Sequence, residues 1–109
     1  MGLLAETAAA IVAGEQTSER AVERALAAVE RLQPTLNAFT VLLHEEALAA
    51  AREADAAARS GIRDGPLLGV PVAVKDLYDL AGTVTSGCSR AYLSNPPAAN
   101  DADAVSALR

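Results

Sequence analysis

The feature that most constrains this chain is the apolar run Leu67-Leu68-Gly69-Val70-Pro71-Val72-Ala73-Val74-Lys75-Asp76. It has no helical period and is rich in β-branched residues, so it reads as a buried strand. Side chains on a strand alternate between faces. Val70, Val72 and Val74 would form one β-branched face. Pro71, Ala73 and Lys75 would form a smaller face that ends in a cation. Such a strand needs cover on both sides and neighbours along both edges.

The rest of the 109-residue chain is mostly helical in pattern. Residues 3–13 place Leu4, Ala8 and Ile11 on one face, with Gly14 at the expected left-handed C-cap. Thr17 or Ser18 caps a second helix carrying Val22, Ala25, Leu26, Val29, Leu32 and Gln33, and Pro34 is expected to close it. Residues 37–43 alternate Phe39, Val41 and Leu43 against Thr40 and Leu42, a strand period. A third helix is expected from about His44 to Ser60, stopped by Gly61, and Asp64-Gly65-Pro66 is turn chemistry. Residues 77–100 read as loop. Asp101 or Asp103 could cap a last helix from about Ala102, whose pattern still runs at Arg109.

This order of helices, strand, helix, strand and helix predicts an α/β fold with a crossover connection. Two strands do not make an independently stable sheet, so sheet partners are expected outside these residues, and the isolated chain is expected to self-associate. Alanine makes up roughly a quarter of the residues, well above ordinary usage, and gives helix with little buried area per residue. The net charge of -5 and the absence of a basic patch argue against nucleic acid. No apolar run approaches a membrane span, no signal-peptide pattern opens the chain, and Cys88 is the only cysteine. A cytoplasmic setting without membrane attachment is the expectation.

Lys75 is the candidate of most interest. In open α/β sheets ligands gather outside the C-terminal strand ends, and burial there disfavours a charged amine, leaving a neutral one able to act as a general base. A solvated or ion-paired lysine is the plainer alternative. Asp76 and Asp79 could orient Lys75 or cap turns, and turn capping is the expected role. Ser86 and Ser89 lie in no Ser-x-x-Lys or Gly-x-Ser-x-Gly pattern and read as turn residues. Cys88 reads as a small buried or half-buried thiol, and His44 as a solvated histidine with no second metal ligand at useful spacing.

Leu68 to Asp76, then Asp79-Leu80-Ala81-Gly82, then Ser89-Arg90-Ala91, resembles the start of the amidase signature family, with its "GxPxxVKD" stretch and following Ser-Arg. Asn37-Ala38-Phe39 and the helix beginning near Asp101 resemble it too. The resemblance implies helices around a mixed sheet, and a Ser–cis-Ser–Lys triad that cleaves carboxylic amide C–N bonds through an acyl-enzyme. Lys75 is then the catalytic lysine, with no cofactor and no metal. Residues 1–109 correspond to the N-terminal part of the amidase signature domain, and both serines are expected beyond them, in a Gly/Ser-rich segment. This chain alone is therefore expected to be inactive. The implied partner is a small-molecule amide, with a homodimer as one assembly open to a complete enzyme. Two alternatives stand beside the general amidase. One is the A subunit of a glutamine-dependent tRNA amidotransferase. The other is a non-catalytic truncated product that binds other proteins. Leu77-Tyr78 after Lys75-Asp76 favours the general amidase over the amidotransferase, in which Asn and Ile usually follow.

Overall fold

A computed structural model describes residues 2–62 and 65–109, so Asp64 of the expected turn lies outside the described residues. The chain divides into two compact units, Met1–Pro71 and Val72–Arg109. The described residues form α-helices α1 (Leu3–Ala13), α2 (Ser18–Leu36), α3 (His44–Arg59) and α4 (Asp103–Ser106), and a 3-10 turn at Arg90–Tyr92.

In the first unit, α1 ends where Gly14 turns left-handed (φ 74°) and its N–H returns to the Ala10 and Ile11 carbonyls. Only Ile11 of the expected α1 stripe is buried; Leu4 stays 54% exposed. α2 and α3 form an antiparallel pair. Ser18 meets Asp55, Arg52 bonds Glu19, and Glu30 faces His44, so positions advance along one helix as they recede along the other. Val22, Leu26 and Ala51 form the core between them, with Ala47 and Leu48 packed alongside. Burying each of the two larger side chains is worth about 1.5–3 kcal/mol, so this core is modest.

Polar contacts fix how the helices meet. The first N–H groups of a helix have no intrahelical partner. Thr17 Oγ1 accepts from the Arg20 N–H at 3.1 Å, confirming Thr17 as the N-cap. The buried carboxylate of Asp55, on α3, accepts from the Ser18 N–H at 2.7 Å and the Glu19 N–H at 3.1 Å. Burial pushes this carboxyl up. The hydrogen bonds from the Ser18 and Glu19 N–H groups and the Ser18 hydroxyl, with help from Arg59, outweigh that and hold it below the ordinary aspartate value.

Gly69 lies against the same corner. Leu67 to Val70 is a turn closed by Val70 N–H to Leu67 O at 3.0 Å, and Gly69 takes φ 78° inside it. Positive φ at the third position is the geometry that glycine suits. A Cβ built on Gly69 would lie 1.9 Å from Ser18 Oγ and 2.7 Å from Ser18 Cβ, so any side chain there collides with the start of α2.

Several expectations change. α2 runs through Pro34 and ends at Leu36, because proline in the last turn forfeits little and Asn37 supplies the stop in a left-handed conformation (φ 46°). Asn37 therefore cannot begin a strand. Beyond it, Gln33 occupies both backbone groups of Phe39: its Nε2 donates to Phe39 O at 2.7 Å and its Oε1 accepts from Phe39 N at 3.1 Å. A glutamine amide here takes the place of a neighbouring strand. The run from Leu67 to Asp76 opens with the Gly69 turn, and residues 70–75 have no ladder partner among the described residues. No strand forms among the described residues, and the sheet expected of an α/β fold is not present in them. α3 matches its expected span. It closes at Gly61 (φ 80°) with Ile62 N–H on Ala57 O at 2.9 Å.

In the second unit, α4 ends at Ser106, short of Arg109. Its N-cap is Ala102, not Asp101 or Asp103, and Asp101 instead accepts from Ala81 N at 2.8 Å and Arg109 Nη1 at 2.8 Å.

Asp55→Ala is expected to destabilise the first unit by about 2 kcal/mol, the range for lost hydrogen bonds to a charged group. Because the folded carboxyl titrates lower than the unfolded one, its contribution is full above the unfolded value of ~3.9 and fades as pH falls through the folded value. Urea unfolding against pH checks both. Gly69→Ala is expected to cost about 1–3 kcal/mol from overpacking. The double variant Gly69→Ala/Ser18→Gly should recover part of the loss, measured in the same unfolding series, because the colliding Cβ and Oγ are gone.

Candidate active site

The second unit holds the lysine. Residues 72–75 run without regular structure and then turn sharply, with Leu77 N–H at 2.7 Å and Tyr78 N–H at 3.0 Å both donating to Lys75 O. The Lys75 backbone is thereby pinned on its C-terminal side. Its side chain is exposed, with no ion pair or hydrogen bond among the described residues. The desolvation expected of this amine is not supplied by the described residues.

Asp76, the next residue, is the most heavily bonded side chain of the unit. It accepts from Ser86 N at 2.8 Å, Ser86 Oγ at 2.5 Å and Cys88 N at 3.3 Å. The Ser86 hydroxyl, then the Ser86 N–H, with the Cys88 and Gly87 N–H groups, bring its carboxyl down to about 2 against some opposing desolvation. Ser86 is buried at 5% exposure, and its Oγ also accepts from Cys88 N–H at 3.2 Å. Gly87 (φ 55°) and Cys88 (φ 60°) are both left-handed. For a cysteine that conformation costs roughly 1–2 kcal/mol, and the bond to Asp76 opposes that cost. Asp79 reinforces the loop by accepting from Thr85 Oγ1 at 2.5 Å, while its carbonyl accepts from Ala102 N at 2.9 Å.

Both acids thus close turns, the role expected for them. The hydroxyl of Ser86 is committed to Asp76, and Ser89 Oγ caps the 3-10 turn by accepting from Ala91 N at 3.3 Å. Cys88 is an exposed free thiol and not the buried or half-buried one expected, because it lies in the exposed loop that turns through Gly87. His44 lies in the first unit, 3.6 Å from Glu30. No group of three His, Cys, Asp or Glu that could hold a metal occurs among the described residues. No helix among them is long and apolar enough to cross a membrane. Sequence reasoning missed the Asp76–Ser86 pairing, since two residues ten apart across a loop leave no periodic signal.

The Amidase family model matches residues 20–109, which takes in Lys75, Asp76 and the Ser86 loop. This chain belongs to the amidase family. The protein named "Putative amidase AmiA2" from Mycobacterium tuberculosis is 46% identical over 93 residues, covering 85% of this chain and 19% of that protein. The A subunit of the glutamyl-tRNA(Gln) amidotransferase from Lachnospira eligens is 41% identical over 104 residues, covering 95% of this chain and 21% of its own length. A solved structure from a vestigial protein complex, described as revealing the evolutionary origins of an s-triazine catabolic enzyme, superposes with a TM-score of 0.92 at 34% identity. It covers 96% of this chain and 23% of its own. This amidase-family chain therefore spans about a fifth of the length of its relatives.

Asp76→Asn is expected to speed amide exchange at Ser86 and Cys88 while leaving α2 and α3 protected, as read by residue-resolved hydrogen exchange. In the unsubstituted chain the depressed carboxyl should hold the turn as pH falls past ~3.9, the ordinary aspartate value. The turn should be lost only as pH falls through about 2.

Proposed function

We propose that this chain is the lysine-bearing N-terminal segment of an amidase-family hydrolase that cleaves carboxylic amide C–N bonds, with Lys75 as the general base. The observation that carries the proposal is the family match over residues 20–109 around an amine that no described residue neutralises. Residues 70–75 would become one strand of a mixed sheet completed by sequence beyond these residues, giving the α/β fold read from the sequence. A Gly/Ser-rich segment in that sequence would supply two serines, one of them in a cis peptide.

The chemistry follows from the amine. Deprotonated Lys75 takes a proton from the intermediate serine, which takes one from the nucleophilic serine. The nucleophile adds to the amide carbonyl, backbone N–H groups hold the oxyanion, and the amine or ammonia leaves with a proton. Water then releases the acid from the acyl-enzyme. The substrate is a small amide, the setting cytoplasmic, and neither metal nor cofactor takes part.

A second reading is supported by the 41% identity to an amidotransferase A subunit. In that case the ammonia released from glutamine would pass to a partner protein. Leu77-Tyr78 following Lys75-Asp76 favours the general amidase.

The test is a chimera in which residues 1–109 replace the aligned part of the M. tuberculosis relative, assayed for ammonia release from simple amides. Lys75→Ala and Lys75→Arg should each lower kcat by about 10²–10⁴-fold, the usual worth of a positioned general base. Full activity in Lys75→Ala would overturn the assignment. The 109-residue chain by itself should show no turnover. Ammonia release strictly from glutamine and only with partner proteins would favour the second reading.

A further inference from the structure

A carboxylate adjacent in sequence to a lysine is an obvious partner for it, yet Asp76 makes no ion pair with Lys75 here. Its acceptor capacity is spent elsewhere. Oδ1 takes the Ser86 N–H, and Oδ2 takes the Ser86 hydroxyl and the Cys88 N–H. Ser86 is buried, so this partner is set within the loop and not on its surface. On the other side of the same peptide, Lys75 O is held by the Leu77 and Tyr78 N–H groups. The backbone leaving Lys75 is therefore tied at its carbonyl and at the following side chain, while the amine is left unpaired.

We infer that Ser86 and Asp76 are positioning residues for Lys75: the Ser86 turn engages the Asp76 carboxylate, fixes the peptide from which the lysine side chain springs, and keeps that carboxylate from pairing with the amine. The inference rests on the reading of Lys75 as a base for its functional meaning, but its geometry does not. A lysine paired with the neighbouring carboxylate would be held in its protonated form, which has no lone pair to accept a proton, because an opposite charge within a few ångströms favours the charged form. The loop thus has a role beyond closing a turn. Ser86 acts on the amine through Asp76, without touching the reacting atoms.

Lys75 is the only lysine in the sequence, which makes the test direct. The 109-residue chain is treated with a water-soluble amine-acylating reagent at low salt and the rate of modification at Lys75 is followed by mass spectrometry, with the N-terminal amine as internal reference. Ser86→Ala should slow acylation of Lys75 about two- to fivefold, the scale of an exposed ion pair, because the released carboxylate turns to the ammonium. The double variant Ser86→Ala/Asp76→Asn should restore the original rate, and raised salt should erase the slowing. A merely structural role for Ser86 would leave the double variant as altered as the single one. Equal rates in all variants, a faster rate in Ser86→Ala, or failure of the double variant to recover would each overturn the proposal. These outcomes are separate from catalysis. Loss of the general-base reading in the chimera would leave the acylation pattern unchanged, and the reverse also holds.

Discussion

Asp55 accepts the first N–H groups of α2 from its buried place on α3, and the arrangement of the first unit follows from that contact. Helix N-terminal donors are costly to bury unsatisfied, so a core with only Val22 and Leu26 as larger buried side chains gains much of its specificity by meeting them. The contact also fixes register: with Ser18 set on Asp55, Val22 and Leu26 fall on Ala51 and its neighbours. Gly69 then has to be glycine, because the space that its Cβ would fill is already occupied by Ser18. The glycine of the "GxPxxVKD" pattern is thereby tied to a helix some fifty positions earlier in the chain, for reasons of packing and backbone conformation.

The helices were legible because their signals are local. Gly14, Thr17 and Gly61 each act within one turn of where they stand, and the apolar stripe of α2 meets α3 through Val22 and Leu26. The strands were not legible in the same sense. Alternation at Phe39, Val41 and Leu43 and the valines of 70–74 report a preference for extended backbone, but a strand exists only when another strand takes its hydrogen bonds. Gln33 takes those of Phe39, and among the described residues no other strand takes those of 70–75, whose ends are bonded only in turns. Pro34 misled for a related reason. Its cost depends on how many helix bonds follow it, and in the final turn few do.

The site shows the same division. Lys75 was singled out in the sequence by its place at the end of an apolar run and by the family pattern around it, and its role as a base is our proposal. That Asp76 is bound to a buried serine was not readable, because the pairing crosses a loop through Gly87 and Cys88 in left-handed conformations that no periodicity announces. The family pattern names residues; the structure explains why an acid can sit beside the lysine without neutralising it. Such a carboxylate organises the backbone and remains charged, while the amine stays available to whatever closes over it.

That closure is the central claim, since a lysine becomes a useful base when it is withdrawn from bulk water. The direct measurement compares acylation of Lys75 in the 109-residue chain with acylation in the chimera that has the length of an amidase relative. Ready modification is expected in the first and strong protection in the second, with protection lost when the chimera is unfolded. An amine equally reactive in both would contradict it.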